Sequence, residues 1–387
     1  MRKTGPPAML CLMEATAAAP AAARAPLRER ARRFYDEHEA VCTTAFFVAG
    51  FLFDTLFVGR IDKLHNILHQ AAYLSMCAWL TSLEMRELYG SFRPPPRLLV
   101  AWKYHAGATH FMLGTLLNIY TLFYFKSAST LTSLLFMALM AGLLAVNELK
   151  PFEESGTTTR MTLFSLCLVS YFTYLIPTLI GSLGPWQFVL SLVGAGLVVS
   201  FVCWLLLRAM PDRLHRILRQ LFIPFCLVAG AFAGLYFAKL IPPVPLSIER
   251  IGVYHDVRWE DGRLALTSTR SRWLFWQKGD QTFDARPGDK IYCFASVFAP
   301  ARFSERLQVR WEYEDPKDGW GESDAIPLDI RGGRDGGWRG FTVKTNYRPG
   351  RWRVRVETSD GRELGRVGLR VVPDDSSGPR AARVVHR

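Results

Sequence analysis

The stretch "FTVKTNYRPGRWRVRVETSDGRELGRVGLRVV", residues 341–372, decides the fold of the C-terminal third. Trp352, Val354 and Val356 point to one side of an extended chain, and Arg353, Arg355 and Glu357 to the other. Val367, Leu369 and Val371 repeat this alternation beyond Asp360-Gly361. Phe341, Val343 and Thr345 precede it, and the Pro349-Gly350 turn is expected to pair them with Trp352, Val354 and Val356. On this reading the Trp and Val residues are core and most of the arginines are the wet face of a sheet.

The same period of two holds upstream in "KIYCFASVF" (290–298) and "RLQVRWEYE" (306–314), with turn signals at Pro287-Gly288 and Asp315-Pro316. Residues 246–373 therefore read as an all-β, immunoglobulin-like antiparallel sandwich. Its one cysteine, Cys293, alternates with Ile291, Ala295 and Val297 and reads as a small buried hydrophobe. The sandwich is thus expected to fold without an internal disulfide.

Further upstream the pattern changes. Seven mostly apolar runs lie near 41–59, 66–83, 108–125, 130–147, 161–181, 187–207 and 220–241. Each is about the length a helix needs to cross a hydrocarbon core. The fold class expected is a membrane all-α bundle of seven transmembrane helices over 41–241, followed by the sandwich. Residues 1–40 read as a cytoplasmic arm, partly disordered, with Met1, Met9 and Met13 as alternative starts, and residues 374–387 as a disordered tail.

Charge sets the expected orientation. Arg2, Lys3, Arg24, Arg28, Arg30, Arg32 and Arg33 precede the first run. Arg86, Arg93, Arg97 and Lys103, then Lys150 and Arg160, then Arg208, Arg213, Arg216 and Arg219 fill the even connections. The odd connections hold only Arg60, Lys63 and Lys126. The positive-inside rule then makes the N-terminus cytoplasmic, and an odd number of spans puts the sandwich outside. This arrangement accounts for most of the +13 formal charge, so nucleic acid is not an expected partner.

Ionisable residues in apolar runs are costly and mark candidate sites. Asp54, Arg60 and Asp62 form one expected polar cluster near the outer face. Asp62, His65 and His69 share a helical face and are weak candidate metal ligands, but Asn66 stands where a zinc hydrolase needs its glutamate. His105 and His110 belong to the opposite face, with Asn147, Glu148 and Lys150 as expected neighbours. The chain has no nucleophile elbow, phosphate loop or dinucleotide fingerprint, so no catalytic residue, cofactor or metal is assigned.

In "RGGRDGGWRG" (331–340), Arg331, Arg334 and Arg339 surround glycines whose backbone N–H groups suit an anion nest. Trp338 reads either as a stacking platform or as core. Arg331, Arg334, Trp338 and Arg339 are the candidate ligand-binding residues; a plain structural turn is the competing reading.

The segment "GGRDGGWRGFTVKTNYRPGRWRVRVETSDGRELGRVGLRVV" resembles the bacterial family called domain of unknown function 2914. "GFLFDTLFVGRID", "KSAST…LLFMALMAGLLAVNE" and "YLIPTLIG" also resemble the multi-pass halves of proteins in that family. The resemblance implies a bacterial envelope protein and a two-part architecture, and supplies no activity. The expected role is a bacterial inner-membrane protein whose periplasmic sandwich binds an envelope polysaccharide or protein without catalysis. The alternatives are a transporter or export component using Asp54, Arg60 and Asp62, and an intramembrane metal-dependent hydrolase using Asp62, His65 and His69.

Overall fold

The computed structural model describes residues 63–128, 136, 138, 140, 142, 156–271, 273–274, 276–277, 279–333 and 337–387. All of them belong to one compact unit, Thr55–Arg387.

The first half of this unit is helical. Its long helices are α1 (Leu64–Leu88), α2 (His105–Ser127), α3 (Thr157–Ile180), α4 (Pro185–Ala209) and α5 (Ile223–Phe237). Helix α5 continues a helical run that begins at Pro211 and includes a π turn at Leu218–Phe222. Helix α3 ends at Gly181, which takes the left-handed conformation at φ 83° that closes many helices. Pro185 opens α4 in the first turn, where its missing N–H costs nothing. Helix α3 is central: 61% of its apolar window is buried, against 33% for α4 and 28% for the run Pro211–Phe237.

The seven-span expectation is met only in part. Among the described residues three helices are long and apolar enough to cross a membrane, namely Thr157–Ile180, Pro185–Ala209 and Pro211–Phe237. The runs 66–83 and 108–125 are helical, within α1 and α2, but polar residues dilute them. Helix α1 carries His65, His69, Gln70, Glu84, Arg86 and Glu87, and α2 carries His105, His110 and Asn118. The run 41–59 and most of 130–147 lie outside the described residues.

The second half is all β. Its strands are β1 (Ser247–Tyr254), β2 (Asp256–Glu260), β3 (Arg263–Ser268), β4 (Thr282–Ala285), β5 (Ile291–Phe298), β6 (Ser304–Asp315), β7 (Gly319–Arg331), β8 (Trp338–Lys344), β9 (Gly350–Thr358), β10 (Glu363–Pro373) and β11 (Arg383–His386). A five-stranded sheet ordered β4-β10-β9-β6-β7 faces a three-stranded sheet β1-β5-β8. Between them Cys293, Ala295 and Val297 of β5 meet Val309 and Trp311 of β6 and Trp352, Val354 and Val356 of β9. Cys293 is therefore the buried hydrophobe expected, and burial pushes its thiol up to about 12.

A third sheet, β11-β3-β2, lies over the outer face of β1-β5-β8. Tyr254, Val257, Leu264, Leu266 and Phe294 fill that second, smaller core. Both faces of β5 are thus covered, which is why it is the most apolar strand of the domain.

Strands β9 and β10 form a hairpin across the expected Asp360-Gly361 turn, with Val354 opposite Val367 and Trp352 opposite Leu369. Three other expectations fail. Strand β8 does not pair with β9; it crosses to the other sheet and pairs with β5. Thr342 and Lys344 are consequently the buried residues of β8, while Val343 is 37% exposed. The domain is also not wholly antiparallel, because β4 joins β10 in parallel.

The tail expected to be disordered carries β11, which pairs with β3. Arg286 clamps the stretch between, through Nε to Asp374 at 2.7 Å and Nη1 to the Gly378 carbonyl at 2.9 Å.

Candidate functional site

Backbone groups at one end of the sandwich join it to the helices. The Ser304 N–H at the start of β6 donates to the Gly181 carbonyl at 2.9 Å. The Leu183 N–H donates to the Glu305 carboxylate at 2.8 Å. Burial raises the pKa of Glu305 while that bond opposes the rise. A Cβ at Gly181 would stand 2.7 Å from the Arg302 carbonyl oxygen, so close approach and positive φ both require glycine there. This joint defines a helix-proximal and a helix-distal end of the domain.

The predicted glycine loop sits at the proximal end. The Gly332 N–H donates to the Phe303 carbonyl at 2.8 Å and the Gly333 N–H to the Ala299 carbonyl at 3.2 Å. These donors are spent on the neighbouring turn and are not free to form a nest. A Cβ on Gly332 would lie 1.8 Å from the Pro300 carbonyl oxygen, so this glycine serves close backbone packing. Trp338 is half-buried against the main core, with its ring over Gly340. Arg331 is exposed and Arg339 partly so. Arg334 lies outside the described residues.

The predicted helical sites are only partly visible. Asp54, Arg60 and Asp62 lie outside the described residues. His65 and His69 are exposed, and the His69 ring lies 4.2 Å from Tyr73. Among the described residues no group of three metal-ligating side chains comes together.

The neighbours expected for His105, namely Asn147, Glu148 and Lys150, lie outside the described residues. His105 stacks on Trp102 at 4.1 Å, and its Nε2 lies 3.9 Å from Glu84. Glu84 also accepts from the Thr157 hydroxyl at 2.8 Å and from Arg160 Nε at 3.0 Å. This partly buried cluster locks the ends of α1, α2 and α3. The sequence concealed it because its members come from three separate helices.

The arginines of "RWRVRVE" form an ion-pair lattice on the outer face of the large sheet. Arg353 and Arg355 both pair with Glu312, and Arg310 pairs with Glu357 through Nε at 2.7 Å. Arg351 pairs with Glu314 at 2.8 Å, and the Arg353 guanidinium covers Trp320 at 4.3 Å. Glu312 and Glu357 are 5% and 3% exposed, so the carboxylates lie beneath a layer of guanidinium groups. Within the alternation these arginines are cross-strand partners and not loose solvated charges.

The helix-distal end carries what the sequence reading missed. The loop between β3 and β4 exposes Trp273 at 85% and Trp276 at 63%. Single turns hold it, from the Leu274 N–H to the Ser271 carbonyl at 3.2 Å and the Gln277 N–H to the Leu274 carbonyl at 3.0 Å.

Both loop ends are pinned at one place. The Asp280 N–H donates to the Val253 carbonyl at 2.7 Å, and the Asp280 carboxylate accepts the Thr269 N–H at 3.0 Å. His255 stacks on Phe283 at 4.0 Å with Nε2 3.8 Å from Asp280. Burial is the chief cause of both pKa shifts: Asp280 goes up to about 6, and His255 down to about 4 with help from Arg380. Val253 is six residues along β1 from Ser247, roughly 20 Å from the joint end at 3.3 Å per residue. "RWLFW" was the available signal, because a run of large aromatics between turn residues has no strand to bury it.

Comparison with known proteins matches one stretch of the C-terminal part to a described domain and adds no activity. No curated protein matches the chain. An immunoglobulin-like protein from Pseudomonas aeruginosa aligns at 14% identity over 33% of this chain and 98% of its own, with a TM-score of 0.21. A beta-glucosidase from Kluyveromyces marxianus aligns at 11% identity over 40% and 17%, TM-score 0.17. An alkylpurine DNA glycosylase from Pseudomonas fluorescens aligns at 10% identity over 81% and 100%, TM-score 0.21. Likenesses this weak carry no argument about fold or function. Residues 304–371, which run from the first residue of β6 into β10, match the family described as "Protein of unknown function (DUF2914)", so the C-terminal part contains a domain of unknown function.

Proposed function

We propose that the chain is a seven-span inner-membrane protein with a cytoplasmic N-terminus, and that it presents residues 246–373 to the periplasm as a non-enzymatic interaction domain. Its partner is an envelope polysaccharide or protein. Exposed Leu197, Phe201, Leu227 and Phe237 on α4 and α5 support an apolar surrounding, since such faces are not kept in water. The lysine and arginine asymmetry supports the orientation.

The observation that carries the binding role is the exposure of Trp273 and Trp276 at the helix-distal end. Tryptophan is enriched where partners dock, because it buries a large rigid surface. A pinned loop also loses little freedom on binding.

Two experiments test this proposal. Reporter fusions after residues 128, 184 and 245 are expected to be active outside the cytoplasm and those after 95, 155 and 214 inside. A cytoplasmic fusion at 245 would overturn the topology. In the second, full-length protein carrying Trp273→Ala and Trp276→Ala is crosslinked in intact cells and co-sedimented with washed cell-wall polysaccharide. At least tenfold less capture with unchanged melting supports the loop as the contact, and capture equal to wild type refutes it.

A further inference from the structure

The helical half holds a cavity that the interaction role does not use. It is a groove of about 530 Å³ between α1, α3 and α4, floored by Leu74, Phe164 and Leu168 and walled by Phe201 and Val202. That volume lies within the range of small-ligand sites. The α1 wall is low because Ala71, Ser75, Ala78 and Ser82 follow one another at helical spacing along the groove.

Arg86, one turn beyond Ser82, lines the end of the same groove. Its Nε is buried and has no hydrogen-bond partner among the described residues. The nearby acids are committed elsewhere: Glu84 to Arg160 and Thr157, and Glu87 to the Trp102 indole at 2.6 Å. A buried guanidinium N–H without an acceptor is costly, and an anionic oxygen is its best partner.

More cations gather at this end. Arg208 lies over Trp204 at 4.1 Å, and Arg213 and Arg216 over Tyr89 at 5.7 and 5.1 Å. The Ser91 hydroxyl donates to the Ala209 carbonyl at 2.9 Å, which ties the end of α1 to the end of α4.

We infer that this groove binds one anionic phospholipid, its acyl chain lying along Ala71 to Ser82 and its headgroup phosphate on Arg86. The inference rests on the membrane reading above. A free anion would satisfy Arg86 and leave the apolar groove unfilled. A lipid without net negative charge would fill the groove and leave the surrounding arginines uncompensated. Only an amphiphile of negative charge answers both ends. The ligand therefore sits at the end of the bundle expected to face the cytoplasm, where anionic headgroups attract juxtamembrane arginine.

Full-length protein purified in mild detergent is examined by native mass spectrometry with added phosphatidylglycerol or phosphatidylcholine. Wild type is expected to retain one phosphatidylglycerol and to prefer it at least tenfold over phosphatidylcholine. Arg86→Gln is expected to abolish the preference, and Arg86→Lys to restore part of it. Ala78→Phe fills the groove without touching the charge and is expected to remove retention of both lipids. A benzophenone amino acid at position 78 is expected to crosslink phospholipid.

Equal retention of the two lipids by wild type, or unchanged retention in Ala78→Phe, overturns the site. Crosslinking of position 78 to another part of the chain does so too, since protein then fills the groove. The reporter fusions read the membrane assignment independently, so failure of the lipid site leaves that assignment standing.

Discussion

The guanidinium of Arg362 lies 4.8 Å from the centre of the Tyr236 ring, and both side chains are nearly fully buried. Arg362 comes from the β9–β10 turn and Tyr236 from the end of α5, so this contact seats the sandwich on the last helix. Arg362 Nε also donates to Asp360 at 2.8 Å, which aims the guanidinium at the ring. Desolvated pairs of this kind are worth up to about 2 kcal/mol. Arg362→Ala is expected to lower the melting temperature and to speed proteolysis of the connection 238–246. Tyr236→Leu, which keeps the apolar bulk, is expected to give half that effect or less. Unchanged proteolysis in both variants would show that the backbone joint alone seats the domain.

Glu312 compensates a repulsion built into the register. Arg310 stands directly opposite Arg355 on β9, and the carboxylates of Glu312 and Glu357 neutralise the pair diagonally. Glu312→Gln removes one of those charges while keeping the shape. With the arginines about one-quarter exposed, the loss is expected to be about 1–2 kcal/mol, below the value for a fully buried pair. A double-mutant cycle of Glu312→Gln with Arg355→Gln checks it and should return a favourable coupling for the wild-type pair.

His255 and Asp280 carry opposite pH dependence over one window. Burial raises Asp280 from 3.8 to about 6, so its contribution is present below pH 4 and is lost as pH rises towards 6. Burial lowers His255 from 6.5 to about 4, so its contribution is present above pH 6.5 and is lost as pH falls towards 4. In the wild type the two slopes nearly cancel between pH 4 and 6. His255→Gln should leave a protein that melts lower at pH 6 than at pH 4.5. Asp280→Asn should leave one that melts higher. Each change is expected to be about 1–2 kcal/mol. Parallel melting curves for all three proteins would refute the linkage.

Trp338 is expected to act through packing. Its ring lies over Gly340 and against the main core, so Trp338→Ala should cost about 2–3 kcal/mol, less than a fully buried aromatic. Gly340→Ala should cost a comparable amount, because its Cβ would stand 2.1 Å from the ring. Arg339→Ala should stay within about 0.5 kcal/mol of wild type. Chemical denaturation of the full chain measures all three.

The local half of the fold was legible and the non-local half was not. Alternation in "WRVRVET" and the Asp360-Gly361 turn specify the β9–β10 hairpin, because both the register and the turn lie within one short stretch. Strand β8 escaped because Pro349-Gly350 looks like a hairpin turn, while the partner of β8, β5, is about fifty residues upstream. Period two shows which residues share a face, not which strand lies alongside. Strand β11 escaped because "RVVH" is too short to stand out and is ordered only by β3. Among the candidate sites, the glycine loop was noticed for its composition, but the Gly332 and Gly333 N–H groups are satisfied by a turn about thirty residues away. The exposed tryptophans were overlooked because an aromatic run reads as core unless the surrounding sheets are known to be full.

The bond from Ser304 to Gly181 governs how far the domain reaches. Strand β6 leaves that point and runs without a break to Asp315, about 37 Å at 3.4 Å per residue. Tied by backbone at its base, zipped to β7 from Ser304 to Asp315 and to β9 from Leu307 to Tyr313, it behaves as a strut of fixed altitude. A molecule meeting the tip finds it at one height and one heading, so little orientational search remains to be lost on contact. The same stiffness sets a gauge: an object nearer or farther than the strut allows is missed, and no swing of the domain recovers it.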